Sequence, residues 1–213
     1  MKPKIQEDNF IEDINNAIKE DRHPDHLLEI LRQYKEYKKE FEQTFTDKNP
    51  KDAIYKFHVV YLCKKSVWRN IEIRGNQNFD ILADAIVVFM GWLNDHMHGF
   101  ELLGIKTSLD RLGTGSRMEF FAPDMDNDSH PTYKTDEIHV YDLDYKKQTK
   151  LRFTFDYGDG HQFDVIFKGT RKLDEKEKPG QFPRLIDQRG VAPEQYPDNL
   201  ADDFSYGSLK LKK

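Results

Sequence analysis

The first 50 residues place apolar side chains three and four positions apart, which is the spacing of an amphipathic helix. One run covers residues 9–19, and a second follows Pro24, a residue that suits the first turn of a helix. The polar, turn-rich stretch TDKNPKD at 46–52 ends the pattern. We therefore expect an antiparallel helical pair, with its apolar positions at Phe10, Ile11, Ile14, Ala17 and Ile18 and then at Leu27, Leu28, Leu31, Tyr34, Phe41 and Phe45.

After this boundary the apolar period changes from 3.6 to 2. Residues 54–63 and 67–74 alternate as half-buried strands do, and the short connection KKS between them predicts a β-hairpin. The apolar side chains expected on its buried face are Tyr55, Phe57, Val59, Tyr61, Val67, Ile71 and Ile73.

A third helix is predicted next. Asn78 can cap it, Asp80 suits its first turn, and Gly91 can end it. A strand-like pattern then places His96, His98, Phe100 and Leu102 on one side.

The second half of the domain is interrupted by residues 104–136, which show no clear period and predict a functional or mobile loop insertion. Three further strands are predicted at 137–145, 150–157 and 161–170. The predicted fold class is α+β, a mostly antiparallel sheet with a packed helix, preceded by the helical pair. We divide the chain into an N-terminal helical segment at 1–50, an α+β domain at 51–200 and a tail at 201–213.

The stretch FTFDYGDGHQFDVIF, residues 153–167, predicts a hairpin with a loop of Gly158, Asp159 and Gly160. This loop would pair Tyr157 with His161, Phe155 with Phe163 and Phe153 with Val165. His161 then lies on the aromatic face, Asp156 and Asp164 are diagonal neighbours on the polar face, and Asp159 is at the tip.

Composition restricts the function classes. The net charge of −5 disfavours a protein whose whole surface binds nucleic acid, while leaving room for a local basic face. The single cysteine, Cys63, lies in an apolar stretch and is expected to be a small core residue, so neither a disulfide framework nor a thiolate metal cluster is indicated.

Acidic residues interrupt the N-terminus where a signal peptide needs an apolar run, and no apolar segment reaches membrane-spanning length. We expect a cytoplasmic protein without a membrane partner.

Three segments carry a resemblance to a known family. They are VWRNIEI at 67–73, FDILADAIVVFMGWLNDHMHGF at 79–100 and FTFDYGDGHQFDV at 153–165. In order and spacing, over residues 54–197, they resemble the plasmid pRiA4b ORF-3-like family, some of whose members are passenger proteins of insertion elements. The resemblance implies an α+β domain of uncharacterised function.

The chain departs from the family pattern in two places. Gly160, His161 and Phe163 follow Gly158-Asp159 where the family has an acidic residue, then tryptophan and soon histidine. In VAPEQ, Val191 stands where the family has a cysteine, which removes support for a metal or redox role at that position.

The candidate chemistry centres on histidines and aspartates. His96 and His98, two positions apart on a strand, have a spacing at which two imidazoles can share a zinc ion. Alternatively, they form a helix-to-strand corner and bond backbone groups. The functional candidates are His96, His98, Asp156, Asp159, His161 and Asp164, and as metal ligands they would make the protein a metal-dependent hydrolase.

Binding is the alternative that we favour. Trp68, Arg69 and Arg74, with Arg152 and Lys168 on the last hairpin, could form a nucleic-acid-binding face. The N-terminal helices either pack on the domain or serve as an arm for a protein partner or self-association. No catalytic constellation is complete, so we expect a non-enzymatic binding or accessory module, linked to mobile elements, with a protein or nucleic-acid partner and no cofactor.

Overall fold

The chain forms three α-helices and seven β-strands in the part that the computed structural model describes, residues 3–7, 9–104, 118–125 and 130–196. The helices are α1 (Phe10–Lys19), α2 (Pro24–Glu42) and α3 (Phe79–Met90). The strands are β1 (Ile54–Tyr61), β2 (Trp68–Arg74), β3 (His98–Leu102), β4 (Glu119–Phe121), β5 (Lys150–Phe155), β6 (His161–Arg171) and β7 (Arg184–Arg189). Within these described ranges, no helix combines the length and the apolarity that crossing a membrane requires.

All seven strands belong to one sheet, in the order β4-β3-β5-β6-β1-β2-β7. Each neighbouring pair is antiparallel, and β1 and β6 lie near the centre. The predicted α+β class, with a helical pair before a mostly antiparallel sheet, is confirmed.

Helix α3 begins and ends where its sequence predicts. The Asn78 side chain accepts a hydrogen bond from the Ile81 backbone N–H at 3.0 Å, and Gly91 ends the helix with a φ of 80°. The left-handed conformation at Gly91 suits a residue without Cβ. One face of α3 packs on the sheet through Phe79, Leu82, Ala83, Ile86 and Met90, all buried.

The N-terminal helices pack on the same side of the sheet as α3. On α2, the Phe41 ring centroid lies 4.6 Å from that of Tyr133 and 6.5 Å from that of Phe120 on β4. The Tyr37 hydroxyl bonds the Thr132 hydroxyl at 2.6 Å. Because these aromatic side chains belong to the core that the sheet and α3 share, α2 is an integral layer of the fold.

Three sequence predictions for individual elements are wrong. Strand β4 lies inside the segment predicted to be a loop, residues 104–136, of which residues 105–117 and 126–129 fall outside the described part of the chain. Residues 137–145 contain a 3₁₀ turn at Val140–Asp142, because their backbone bonds the loop before α3: the Val140 N–H donates to the Gln77 carbonyl at 2.8 Å. Cys63 is exposed in the turn between β1 and β2.

The hairpin of β5 and β6 has the predicted faces but a different register. His161 pairs with Phe155 and Phe163 with Phe153, two positions from the prediction. The strand ends early because Asp156 adopts a φ of 54° and its carboxylate accepts hydrogen bonds from the Gly158 and Asp159 backbone N–H groups, at 2.9 and 3.2 Å. This Asx-type turn lengthens the loop to Asp156–Gly160.

Candidate functional site

Residues 90–93 of the family-like segment 79–100 and residues 192–195 of VAPEQ line an open cavity of about 460 Å³ at one end of the sheet. We call it the Trp92 cavity. Its lining comes from the end of α3, the residues after it and the segment that follows β7, namely Met90, Gly91, Trp92, Leu93, Ala192, Pro193, Glu194, Gln195 and Tyr196. Arg69 of the first family-like segment and His161 of the third lie behind this lining and bond the Phe89 and Gln195 carbonyls.

Hydrogen bonds hold the segment after β7 against the turn after α3. The Trp92 indole N–H donates to the Pro193 carbonyl at 2.8 Å. The Gln195 side-chain amide accepts from the Leu93 backbone N–H at 2.7 Å and donates to the Leu93 carbonyl at 2.9 Å. These backbone groups are thereby satisfied, and both walls of the cavity are fixed relative to each other.

His161 packs against the Trp92 ring on the protein side of the cavity wall. It is buried on the aromatic face, as the sequence predicts, and its ring centroid lies 4.4 Å from that of Trp92. Its Nε2 lies 3.2 Å from the Gln195 carbonyl oxygen, an acceptor, so Nε2 carries the proton and Nδ1 accepts from the Tyr61 hydroxyl at 3.2 Å. Burial raises the pKa of Tyr61 to about 12, and this hydroxyl therefore remains a donor at neutral pH.

The buried side chain of Arg69 connects the elements behind the cavity wall. Its side chain lies on the core face of β2 and is 4% exposed. The guanidinium donates to the Phe89 carbonyl in the last turn of α3 at 2.7 Å, and to the Arg189 and Gly190 carbonyls at 3.2 and 3.3 Å. Arg69 thus joins the end of α3 to the end of β7 and does not offer its charge to an external nucleic acid.

His96, in the exposed turn that precedes β3, lies close to Asp156, which is buried in the loop between β5 and β6. The His96 Nε2 lies 3.6 Å from a carboxylate oxygen of Asp156 and 4.0 Å from one of Asp95. Asp95 in turn accepts hydrogen bonds from the Tyr196 hydroxyl at 2.9 Å and the Gln195 amide at 3.0 Å. Although desolvation acts to raise the pKa of Asp95, these hydrogen bonds outweigh it and lower that pKa.

The other predicted site residues are elsewhere. His98 is buried at the start of β3, where its Nε2 lies 3.1 Å from a carboxylate oxygen of Asp80, and this hydrogen bond lowers the pKa of Asp80. Asp159 is at the exposed loop tip, whereas Asp164 pairs with Lys150 at 2.7 Å and with Arg152 at 3.1 Å. The aspartates of the hairpin therefore do not form one cluster.

A shared zinc site for His96 and His98 is not formed. His96 lies before the strand and His98 on it, and each has its own aspartate partner. Across the described residues, no group of three or more His, Cys, Asp or Glu side chains is arranged to hold a metal ion.

The remaining nucleic-acid candidates are separated and largely paired. Trp68 is half-buried next to the His58 ring at 5.3 Å. Arg74 lies 3.8 Å from Asp52, and Arg152 bonds Asp164. Lys168, the other candidate, lines a separate, smaller cavity with Lys56 and Arg171.

Sequence reasoning missed the contribution of the segment after β7, in particular Gln195 and Tyr196. The stretch VAPEQ indicated that this segment belongs to the family-like part of the chain. No local sequence pattern connects it with Trp92, about a hundred positions earlier.

Comparisons with known proteins show the family and the fold of the chain. A family model described as plasmid pRiA4b ORF-3-like protein matches residues 53–198, a range that includes every lining residue of the Trp92 cavity. Among solved structures, a protein of unknown function from Methanosarcina mazei Go1 is similar in fold, with a TM-score of 0.54 and 21% sequence identity, over 66% of this chain and 72% of that one. A search of curated proteins found no match.

Proposed function

Because the chain belongs to the plasmid pRiA4b ORF-3-like family, and the segments that carry the family pattern line the Trp92 cavity or pack behind it, we propose that it is a protein-binding module that uses this cavity. That convergence of distant segments is the observation that carries the proposal. The side chains of Arg69, Trp92 and Gln195 donate hydrogen bonds to backbone carbonyls and so hold the segments of the cavity walls together. We further propose that the module is an accessory factor of mobile elements and acts in the cytoplasm.

Exposed apolar side chains support a protein as the partner. Leu93 and Tyr196 on the cavity lining are 68% and 42% exposed, and Val191, next to the lining, is 84% exposed. Large apolar side chains grouped around a concavity are typical of protein-interaction sites, since their removal from water favours association. The cavity has room for one or two apolar side chains of a partner segment.

A protein partner fits this surface better than a nucleic acid does. Arg69 is internal, and Arg152 is neutralised by Asp164. The cavity itself carries Glu194 as a charged lining residue, and phosphate groups would be repelled by it.

Site-specific photo-crosslinking tests the proposal. A benzophenone amino acid at Leu93 is expected to capture a protein from a lysate of the source organism. The same probe at Lys39, exposed on α2, is the matched control and is expected to miss that protein.

Competition makes the test specific to the cavity. Unlabelled wild-type protein should suppress the adduct at position 93, and Leu93→Asp should not, since a charge on this exposed position blocks apolar contact without disturbing the core. Equal adducts at both probe positions, or equal competition by both proteins, would show that the cavity is not the binding site.

A further inference from the structure

Two carboxylates, those of Asp95 and Glu194, lie at the rim of the Trp92 cavity. Glu194 is exposed on the lining itself. Asp95 accepts hydrogen bonds from the lining residues Gln195 and Tyr196, at 3.0 and 2.9 Å. We call Asp95 and Glu194 the acidic rim.

Positive charge around the rim is scarce. The lining residues of the cavity in the described part of the chain include no Lys or Arg. Arg69 is nearby, but its guanidinium is buried behind the wall and is occupied by backbone carbonyls. His96 lies between Asp95 and Asp156, 4.0 and 3.6 Å from their carboxylate oxygens.

From this charge pattern we infer that the partner segment is basic and apolar: an apolar side chain enters the Trp92 cavity, and flanking Lys or Arg side chains contact the acidic rim. The inference rests on the protein-binding function proposed above. Burial of the apolar side chain provides affinity, while the opposite charges guide encounter and reject acidic segments. Long Lys and Arg side chains can lie along the exposed apolar edge and keep their charged ends at the rim.

Three labelled peptides test the inference by fluorescence anisotropy against the full chain. The first has a Leu-Leu centre flanked by Lys-Arg pairs, the second has the same centre flanked by Glu-Asp pairs, and the third keeps the basic flanks around Ser-Ser. We expect the first peptide to bind at least about tenfold more tightly than either of the others, and to weaken as salt is raised because exposed charges are screened.

Charge-reversal variants locate the binding. Glu194→Lys should weaken the basic apolar peptide about five- to tenfold. Glu175→Lys, the same change on the exposed connection beyond the opposite end of β6, should leave binding unchanged.

The outcomes separate this inference from the proposed function. Equal binding of the basic and acidic Leu-Leu peptides, with crosslinking at position 93 intact, overturns the basic specificity and leaves the binding function standing. Equal binding of the Ser-Ser peptide, or equal loss in both charge-reversal variants, shows nonspecific electrostatic binding and overturns the inference. Failure of all three peptides overturns it too, whereas the crosslinking result judges the function independently.

Discussion

At the scale of single residues, the same side-chain type has opposite tasks depending on which face of a strand it occupies. Arg69 and Arg152 were both candidates for nucleic-acid contact. Arg69 points into the core and satisfies carbonyls of three elements, while Arg152 lies on the opposite, polar face and pairs with Asp164. Successive side chains of a strand point to opposite faces of the sheet, so the position of each arginine along its strand determines whether it is buried or partly exposed.

This difference gives a stability prediction. Arg69→Ala should lower the free energy of unfolding by about 3 kcal/mol, because it leaves buried carbonyls without a donor. Arg152→Ala, which removes a partly exposed ion pair, should cost less than about 1 kcal/mol. Urea unfolding followed by circular dichroism measures both, and equal costs would contradict the structural role of Arg69.

His130 gives a pH prediction at the same scale. It is buried against Tyr37, with ring centroids 4.5 Å apart, and burial lowers the pKa of His130 below its ordinary 6.5. The native state therefore binds fewer protons than the unfolded state, so the contribution of His130 to stability is complete above pH 6.5 and is lost as the pH falls below it.

The test compares unfolding free energies at pH 7.5 and 5.5. The wild type should lose stability over this interval, and His130→Gln should lose less. A loss of the same size in both proteins would remove His130 as a source of the pH dependence.

At the scale of elements, the apolar period was a reliable guide where an element has one face on the core. It identified α1, α2, α3, β1, β2, β5 and β6 with small boundary errors. It failed for β7, the edge strand RLIDQR, whose side chains are mostly exposed and so need no alternation. At 137–145 it gave a strand that is absent, because buried residues of an irregular segment can also fall two positions apart.

Helix α2 also yields a test at this scale. Phe41→Ala should cost about 3–5 kcal/mol, since the fully buried ring packs against Tyr133 and Phe120 and its loss leaves a cavity. Leu28→Ala on the same helix, where the side chain is 54% exposed, should cost less than about 0.5 kcal/mol. Chemical denaturation measures both; a small cost at Phe41 would mean that α2 is a detachable arm rather than a layer of the core.

At the scale of the whole molecule, several residues of the candidate site could be predicted from the sequence, but their assembly into one site could not. Trp92 and His96 could be identified from the family-like segment 79–100, and the position of His161 on the aromatic face from strand alternation. Their connection to Gln195 requires the sheet order, because hydrogen bonds link positions about a hundred residues apart. The predicted pairing of Asp156 with Asp164 failed because a turn at Asp156 moved it out of the strand.

The overall charge distribution predicts weak nucleic-acid binding. With a net charge of −5 and its candidate arginines buried or paired, the protein should bind labelled single- or double-stranded DNA and RNA of about 20 nucleotides no more tightly than tens of micromolar at low salt. Fluorescence anisotropy at two salt concentrations measures this. Tighter binding that weakens steeply with salt would restore a nucleic-acid partner.

The order of strands in the sheet also determines how long an early strand waits for its partner during synthesis. Strand β1 pairs with β6, so Ile54 to Tyr61 meet partners at Phe163 to Arg171. Because roughly 100 residues separate them and translation adds about 5–20 residues per second, the edge of β1 stays uncovered for on the order of 5–20 seconds. The other edge of the hairpin, on β2, stays uncovered longer still, since its partner β7 follows β6 in the chain. During synthesis, this hairpin is therefore the segment that we expect chaperones to shelter and proteases to reach first.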